Sequence, residues 1–336
     1  MACRETSNTL RVSGEVERAR RDCAPIVALE STVVTHGLPR ERRPLSSRFL
    51  AAHPGWNTDL PVNLALALAC EDAIRARGAV PATVAVINGV PRAGLDRAEL
   101  ELLAQCEGLP KLSSDGLGHA MARHTSGGTT VAATTIIASA ARISAFSTGG
   151  IGGVHRGWER SLDISADLHA VASHPMLVVS AGPKAILDLP ATLEAIETLG
   201  IPALGFKTTH LPRFTVEPSR ELRLAHTVGN ASEAAAVVKA HWSLQPQRGL
   251  LLLNPCPTEF AIDGKTAEAA IAHALESASR AGVRGSATTP FLLAALAQSQ
   301  QGTQILEANL ALLIANAGLA AEITACLHTE SDRNSA

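Results

Sequence analysis

The chain has 336 residues, enough for one large domain or two small ones with a sizeable core and no need of staples. Its formal net charge of -2, its lack of tyrosine and its 3% aromatic content leave no base-stacking platform or phosphate-tracking stripe, so no nucleic-acid polymer is expected as a partner. Six scattered cysteines (Cys3, Cys23, Cys70, Cys106, Cys256, Cys326) form no CxxC pair and suit reduced thiols, and no apolar stretch reads as a membrane span without a break.

The first twenty residues mix arginines with Glu5, Glu15 and Glu17, which lacks the apolar core of a signal peptide; a cytoplasmic setting is expected, with a mitochondrial one left open. Pro25 to Leu29 is a short apolar run that stops at Glu30-Ser31-Thr32, with His36-Gly37 close behind. A carboxylate at the tip of a buried strand suits a general acid or base, because partial burial lifts its pKa. A first exposed residue after the strand reads equally well. Residues 40–59, RERRPLSSRFLAAHPGWNTD, carry charge and two prolines without a clear period, and read as a loop. Leucines and alanines at helical spacing predict a helix from Asn63 to Gly78. A strand over Thr83–Ile87 follows, then an exit turn at 89–92, a helix over 97–106, and Lys111. Ser126 to Val131 opens a helical run reaching Ala141, whose free N–H groups suit phosphate, although a plain N-cap explains them as well.

Ile143 to Phe146 reads as a strand feeding the densest stretch of the chain, Ser147 to Lys184. Gly149, Gly150, Gly152 and Gly153 are expected to allow backbone conformations that side chains forbid and to aim amides at an anion. Asp163 and Asp167 stand four apart around Ser165; on a helical turn they would share a face and could hold a hydrated divalent cation. Met176 to Ser180 then reads as a buried strand that delivers Gly182-Pro183-Lys184 to its carboxyl end, where a partly desolvated lysine can act as an amine nucleophile.

Helix 191–199, strand 203–206 and the run Gly249 to Leu253 repeat the alternation, and helices are expected near 232–242, 266–281, 287–299 and 303–325. The last carries Asn309 and Asn316, amides that either satisfy a core or read a planar ring. A polar tail is expected from His328. Strands alternating with helices imply an α/β fold, a layered α/β/α arrangement around a central, largely parallel mixed sheet, formed by residues 1–336 as one domain.

The segments ALEST (28–32), THG (35–37), TTVA (129–132), FSTGGIGGVHRG (146–157), DISADL (163–168), SAGPKAILD (180–188), NP (254–255) and TTPFLL (288–293) together resemble the pseudouridine-5'-phosphate glycosidase family, also called indigoidine synthase A-like. The resemblance runs from about residue 10 to about residue 325. It implies reversible cleavage of pseudouridine 5'-phosphate to uracil and ribose 5-phosphate, a pseudouridylate synthase classed as a carbon–oxygen lyase and acting as a glycosidase. The bond is C–C, so protonation of a glycosidic oxygen is unavailable. A lysine imine with a ring-opened ribose is implied instead, with Lys184 as nucleophile and Glu30 as proton donor. Asp163 matches the metal aspartate, with manganese held largely through water. Lys111, Val131, Ser165, Ala166 and Asp167 match substrate-binding positions, and Thr148, His155 and Asn309 are expected to line phosphate, ribose or uracil. A homotrimer and a pseudouridine kinase in the same pathway are implied as well.

One departure stands out: about twenty residues separate Pro39 from Pro61 where the family joins them almost directly. The segment reads either as a lid or as a retained intron in the gene model. The second is favoured, since Phe49, Leu50 and Trp56 have no periodic partner. Two other functions compete with the glycosidase: an imine-forming lyase or aldolase on another sugar phosphate, and a catalytically silent ligand-binding protein.

Overall fold

In a computed structural model of the chain, residues 10–283, 291–292 and 302–329 are described. The chain opens with β1 (Arg11–Val12) and α1 (Gly14–Arg21). This charged run becomes a helix because Ser13 caps it, its acids sit in the first turn and its arginines in the last, the order a helix dipole favours. β2 (Ile26–Leu29) is buried throughout and leads into a π-helical turn over Val33–Gly37. Next come α2 (Ser47–Ala52), α3 (Val62–Arg75), β3 (Val80–Ile87) and β4 (Val90–Ala93). The expected exit turn at 89–92 is thus mostly a strand, antiparallel to β3. Asn88 and Gly89, both at positive φ, supply the two left-handed residues of a tight hairpin.

The middle of the chain holds α4 (Arg97–Gln105), β5 (Lys111–Leu112), α5 (Leu117–Ala122), β6 (Gly127–Thr129), α6 (Val131–Ala140), β7 (Ala145–Ser147), the one-turn α7 (Trp158–Ser161), α8 (Ala166–Ser173) and β8 (Leu177–Ser180). It closes with α9 (Leu189–Thr198), β9 (Ala203–Phe206), β10 (His226–Val228), α10 (Ala231–Leu244), β11 (Leu250–Leu253), α11 (Gly264–Arg280) and α12 (Gly302–Thr329). The expected helix over 287–299 and the 288–293 motif lie outside the described residues, apart from Phe291 and Leu292. The polar tail begins later than His328, because α12 continues through Thr329.

One mixed sheet runs β1-β4-β3-β2-β7-β8-β11-β9-β10, with β6 on β3 and β5 on β6. Its pairs are parallel except β3 with β4 and β3 with β6. Helices surround it: α6 and α8 pack together, while α12 lies against β2, β7 and β8 with α3 and α10 beside it. α12 is long and apolar enough to cross a membrane, with a mean hydropathy of 1.8, but most of it is buried inside the fold. The register places Leu29 beside Ser147 and Ser147 beside Val179. Three parallel strands therefore end together at one edge of the sheet, where binding sites of such folds gather.

The segment 40–59 is not the aperiodic loop its composition suggests. Ser46 caps α2, and Glu307 of α12, itself 2% exposed, accepts from the Ser46 amide at 2.5 Å and the Ser46 hydroxyl at 2.9 Å. Phe49 is fully buried; it stacks on His53 at 4.3 Å and meets Trp56 and Phe260 edge-on at 5.3 and 5.8 Å. Leu50 and Trp56 pack against the main core. The partners missing from the sequence pattern are thus supplied by the segment's own fold and by Phe260.

Candidate active site

Glu30 follows the last residue of β2, Thr148 the last residue of β7, and Lys184 the turn after β8. Parallel pairing of the three strands brings them to one place. Burial holds the Glu30 carboxyl above its ordinary pKa, and the nearby Lys184 charge opposes this, as does a hydrogen bond from Thr148 Oγ1 to the carboxylate. Asp167 pushes the same way as burial; Lys111 pulls back. Lys111 has its ammonium shifted down, first by desolvation and then by Lys184. Lys184 is half-buried, and its ammonium has no hydrogen bond or ion pair among the described residues.

The turn that holds Lys184 is fixed by its backbone. Lys184 N donates to Ile151 O at 3.1 Å, and Gly182 sits at φ +85° with its Cα so close to Pro212 that a Cβ would lie 2.2 Å from the Pro212 carbonyl oxygen. Only glycine fits there. Arg156, which the sequence offered only as one letter of a motif, donates to Ala185 O at 3.2 Å and Leu187 O at 3.3 Å, and pairs with Glu268 of α11 at 3.3 Å.

The glycine run 149–153 works differently from its expectation. Gly149, Gly150, Gly152 and Gly153 are not among the positive-φ residues, so no side-chain-forbidden backbone is needed. They are small because neighbours press on them: a Cβ on Gly152 would lie 2.2 Å from Ser165 Oγ and 2.9 Å from Asp167 Oδ2. The Gly152 amide does meet an anion, but an internal one. Asp167, 7% exposed, accepts from Gly152 N and from Ala132 N, both at 2.9 Å. The same carboxylate thus occupies an amide at the start of α6, while Thr130 takes the N-cap. Val131 opens that helix and is almost wholly buried, and Gly127 to Thr129, expected to belong to the opening of the helix, form β6.

Asp163 and Asp167 do not share a helical face. Ser165 is the N-cap of α8, with its hydroxyl on Asp167 N at 3.2 Å, so the helix begins at Ala166 and Asp163 stays outside it. Asp163 instead faces His155 Nδ1 at 4.0 Å. Burial lowers the His155 pKa, Asp163 raises it, and Lys184 and Lys111 lower it further. Among the described residues no group of three or more His, Cys, Asp or Glu converges on a point. Asp163 is therefore a lone carboxylate donor, a set that suits a hydrated oxygen-seeking ion such as manganese and not a dry chelate.

Glu30, Lys184, Lys111, His155, Asp163, Thr148 and Asp167 are thus brought together. Asn309 is half-buried on α12 and makes no hydrogen bond among the described residues. It lies two turns before Asn316, whose amide reaches Thr148 O, and one turn before Leu313, which borders Gly149. At that spacing Asn309 shares their face of the helix.

The model of the indigoidine synthase A like protein family matches residues 56–326. The pseudouridine-5'-phosphate glycosidase of Chloroflexus aurantiacus is 45% identical over 318 residues, 94% of this chain and 97% of that protein. That of Herpetosiphon aurantiacus is 44% identical over 95% of this chain and 98% of its own. The crystal structure of a prealnumycin C-glycosynthase in complex with ribulose 5-phosphate superposes with a TM-score of 0.82 at 36% identity, covering 96% of this chain and 98% of that one. An indigoidine synthase A-like protein of Thermotoga maritima superposes with a TM-score of 0.80 at 29% identity, covering 97% and 100%. With the fold, the strand-tip cluster and full-length relatives in agreement, the chain belongs to the indigoidine synthase A-like family, that of the pseudouridine-5'-phosphate glycosidases.

Proposed function

We propose that this protein cleaves the C–C glycosidic bond of pseudouridine 5'-phosphate reversibly, giving uracil and ribose 5-phosphate. The observation that carries the reading is the meeting of Lys184, which has no hydrogen bond or ion pair among the described residues, with a carboxyl held above its ordinary pKa, Glu30, at one edge of the sheet. Lys184 Nζ, once deprotonated, attacks C1', and the C1'–O4' bond breaks as O4' takes a proton. The nitrogen lone pair then expels the base: the C1'–C5 bond breaks, C5 takes a proton, and an imine is left on C1'. Water hydrolyses the imine and frees ribose 5-phosphate. Glu30 supplies and recovers these protons, a role that its raised pKa favours.

Lys111, with a positive charge at the same edge, suits the substrate phosphate, together with Val131 at the start of α6 and Ser165 and Ala166 at the start of α8, while Asp167 serves the substrate site by holding the Gly152 and Ala132 backbone. His155, Thr148 and Asn309 complete the lining or its support. Manganese, held by Asp163 and water, would supply Lewis-acid charge to the site. The exposed apolar residues Trp158 (36%), Leu162 (75%) and Ile164 (47%) flank Asp163 and support a subunit contact in a homotrimer. Five cysteines free of disulfides among the described residues suit a reducing compartment, the cytoplasm. A pseudouridine kinase supplying the phosphorylated substrate fits the same role.

Borohydride added with ribose 5-phosphate should attach one pentose phosphate to Lys184, and Lys184→Ala should abolish uracil release while phosphate affinity persists. Label on a different lysine, or turnover in the variant, overturns the reading. A second reading, imine chemistry on another sugar phosphate, is favoured by the likeness to a C-glycosynthase that binds ribulose 5-phosphate. Chromatography of products from a panel of C-nucleotides and sugar phosphates separates the two.

A further inference from the structure

Glu30 takes its one hydrogen bond among the described residues from Thr148, and Thr148 is itself held from afar. Thr148 has no exposed surface. Its amide donates to Val179 O of β8 at 3.0 Å, and its carbonyl accepts from Asn316 Nδ2 of α12 at 2.9 Å. Asn316 Oδ1 accepts in turn from Asn254 Nδ2 at 2.9 Å, and the Asn254 amide donates to Ser180 O at 2.8 Å. The orientation of the Asn316 side chain follows from chemistry: a peptide carbonyl only accepts, so the NH2 of Asn316 must face Thr148 and its oxygen must face the Asn254 NH2. A continuous line of bonds therefore joins the end of the Lys184 strand, through β11 and α12, to the hydroxyl on Glu30.

A core role alone does not explain Asn316. It is fully buried between apolar neighbours on its helix, where Leu312, Leu313 and Ala317 are each at most 5% exposed, and a buried amide destabilises unless all its polar atoms are paired. An aliphatic side chain would fill the position without that demand. What only the amide does is grip the peptide carbonyl of Thr148 at the point where β7 ends. With its N–H bound to β8 and its C=O to α12, Thr148 has little freedom left, and its hydroxyl is aimed at the carboxyl.

We propose that Asn316, backed by Asn254, is a positioning residue for the proton donor: it fixes the Thr148 peptide so that the Thr148 hydroxyl holds Glu30 in line with the carbon attacked by Lys184. This rests on the glycosidase reading of Glu30 and Lys184. A misplacement of the carboxyl by an ångström is enough to slow the proton steps by about 10²-fold. Substrate affinity, set by other groups, is left alone.

The test is a set of full-length variants assayed for uracil release from pseudouridine 5'-phosphate. Asn316→Leu is expected to lower kcat about 10- to 100-fold with KM within about twofold of wild type, since the lost interaction acts on the transition state. Thr148→Val should show a similar loss, and Thr148→Ser, which keeps the hydroxyl, should retain turnover. In the double variant the two losses should not add, because they remove one line of force. Additive losses, or wild-type kcat in Asn316→Leu, overturn the proposal. If Asn316→Leu does not fold, Asn254→Ala removes only the outer link, and an unchanged kcat there overturns it equally. A wild-type protein that releases no uracil would instead mark failure of the underlying function.

Discussion

Glu30 carries opposing demands, and its titration makes them measurable. Burial lifts its pKa above the ordinary 4.5, so the folded state holds the proton more tightly than the unfolded chain does. For a carboxyl shifted in this direction, stability is highest below pH 4.5 and falls as pH rises through the lifted value, after which it is flat. Glu30→Gln removes that loss. The variant should match wild type in urea midpoint at pH 4 and exceed it at pH 8, while its turnover falls by about 10²- to 10⁴-fold. An equal midpoint at both values of pH would mean that the carboxyl is freely solvated. Asp167 serves the fold through its hydrogen bonds. Asp167→Ala leaves the amides of Gly152 and Ala132 without their acceptor, and two lost hydrogen bonds to a charged group should together cost about 3 kcal/mol or more in urea unfolding.

At the scale of an element, α2 decides how residues 40–59 should be regarded. Phe49→Ala should cost about 3–5 kcal/mol, as expected of a fully buried aromatic ring, where a loop reading would give almost nothing. Joining Pro39 directly to Leu60 removes the Ser46 donors of Glu307 along with Phe49, so the shortened chain should unfold at a clearly lower urea midpoint. An unchanged midpoint, with activity equal or higher, would return the segment to the status of an intrusion. The docking also weakens the reading of a silent binding protein, because that reading needed the segment to block or rebuild the site. Its buried contacts run instead to Phe260 and to Glu307 of α12, and among the described residues none of its hydrogen bonds reaches Glu30, Lys184 or Asp163.

For the whole molecule, the proposed trimer contact and the proposed metal carboxylate fall on one surface segment. Leu162 and Ile164 flank Asp163 and are 75% and 47% exposed. Replacing both by aspartate should convert the proposed trimer to a monomer in light scattering without lowering the melting temperature, since neither side chain serves the core. A trimer that survives would place the contact elsewhere. Asp163→Ala should flatten the response of turnover to added manganese, because a hydrated ion loses its single carboxylate.

By itself the sequence determined the alternation of strands and helices and the strand-tip positions of Glu30 and Lys184, since short apolar runs ending in turn residues are encoded locally. The hairpin at Asn88-Gly89 is encoded by the same kind of rule, but the apolar run after it is so short that the sequence shows only its turn. The tertiary structure alone decided which partners these residues find. Thr148 and Asn316 are 168 positions apart, and Ser46 and Glu307 are 261 apart. Nothing in the local pattern of either member announces the other. Asp163 and Asp167 show the same limit at short range: four-residue spacing puts two acids on one face only if a helix spans both, and the cap at Ser165 starts the helix between them. Local chemistry fixes where a chain turns and what it buries, whereas a site's electrostatics and supports come from side chains that meet only after the sheet has assembled.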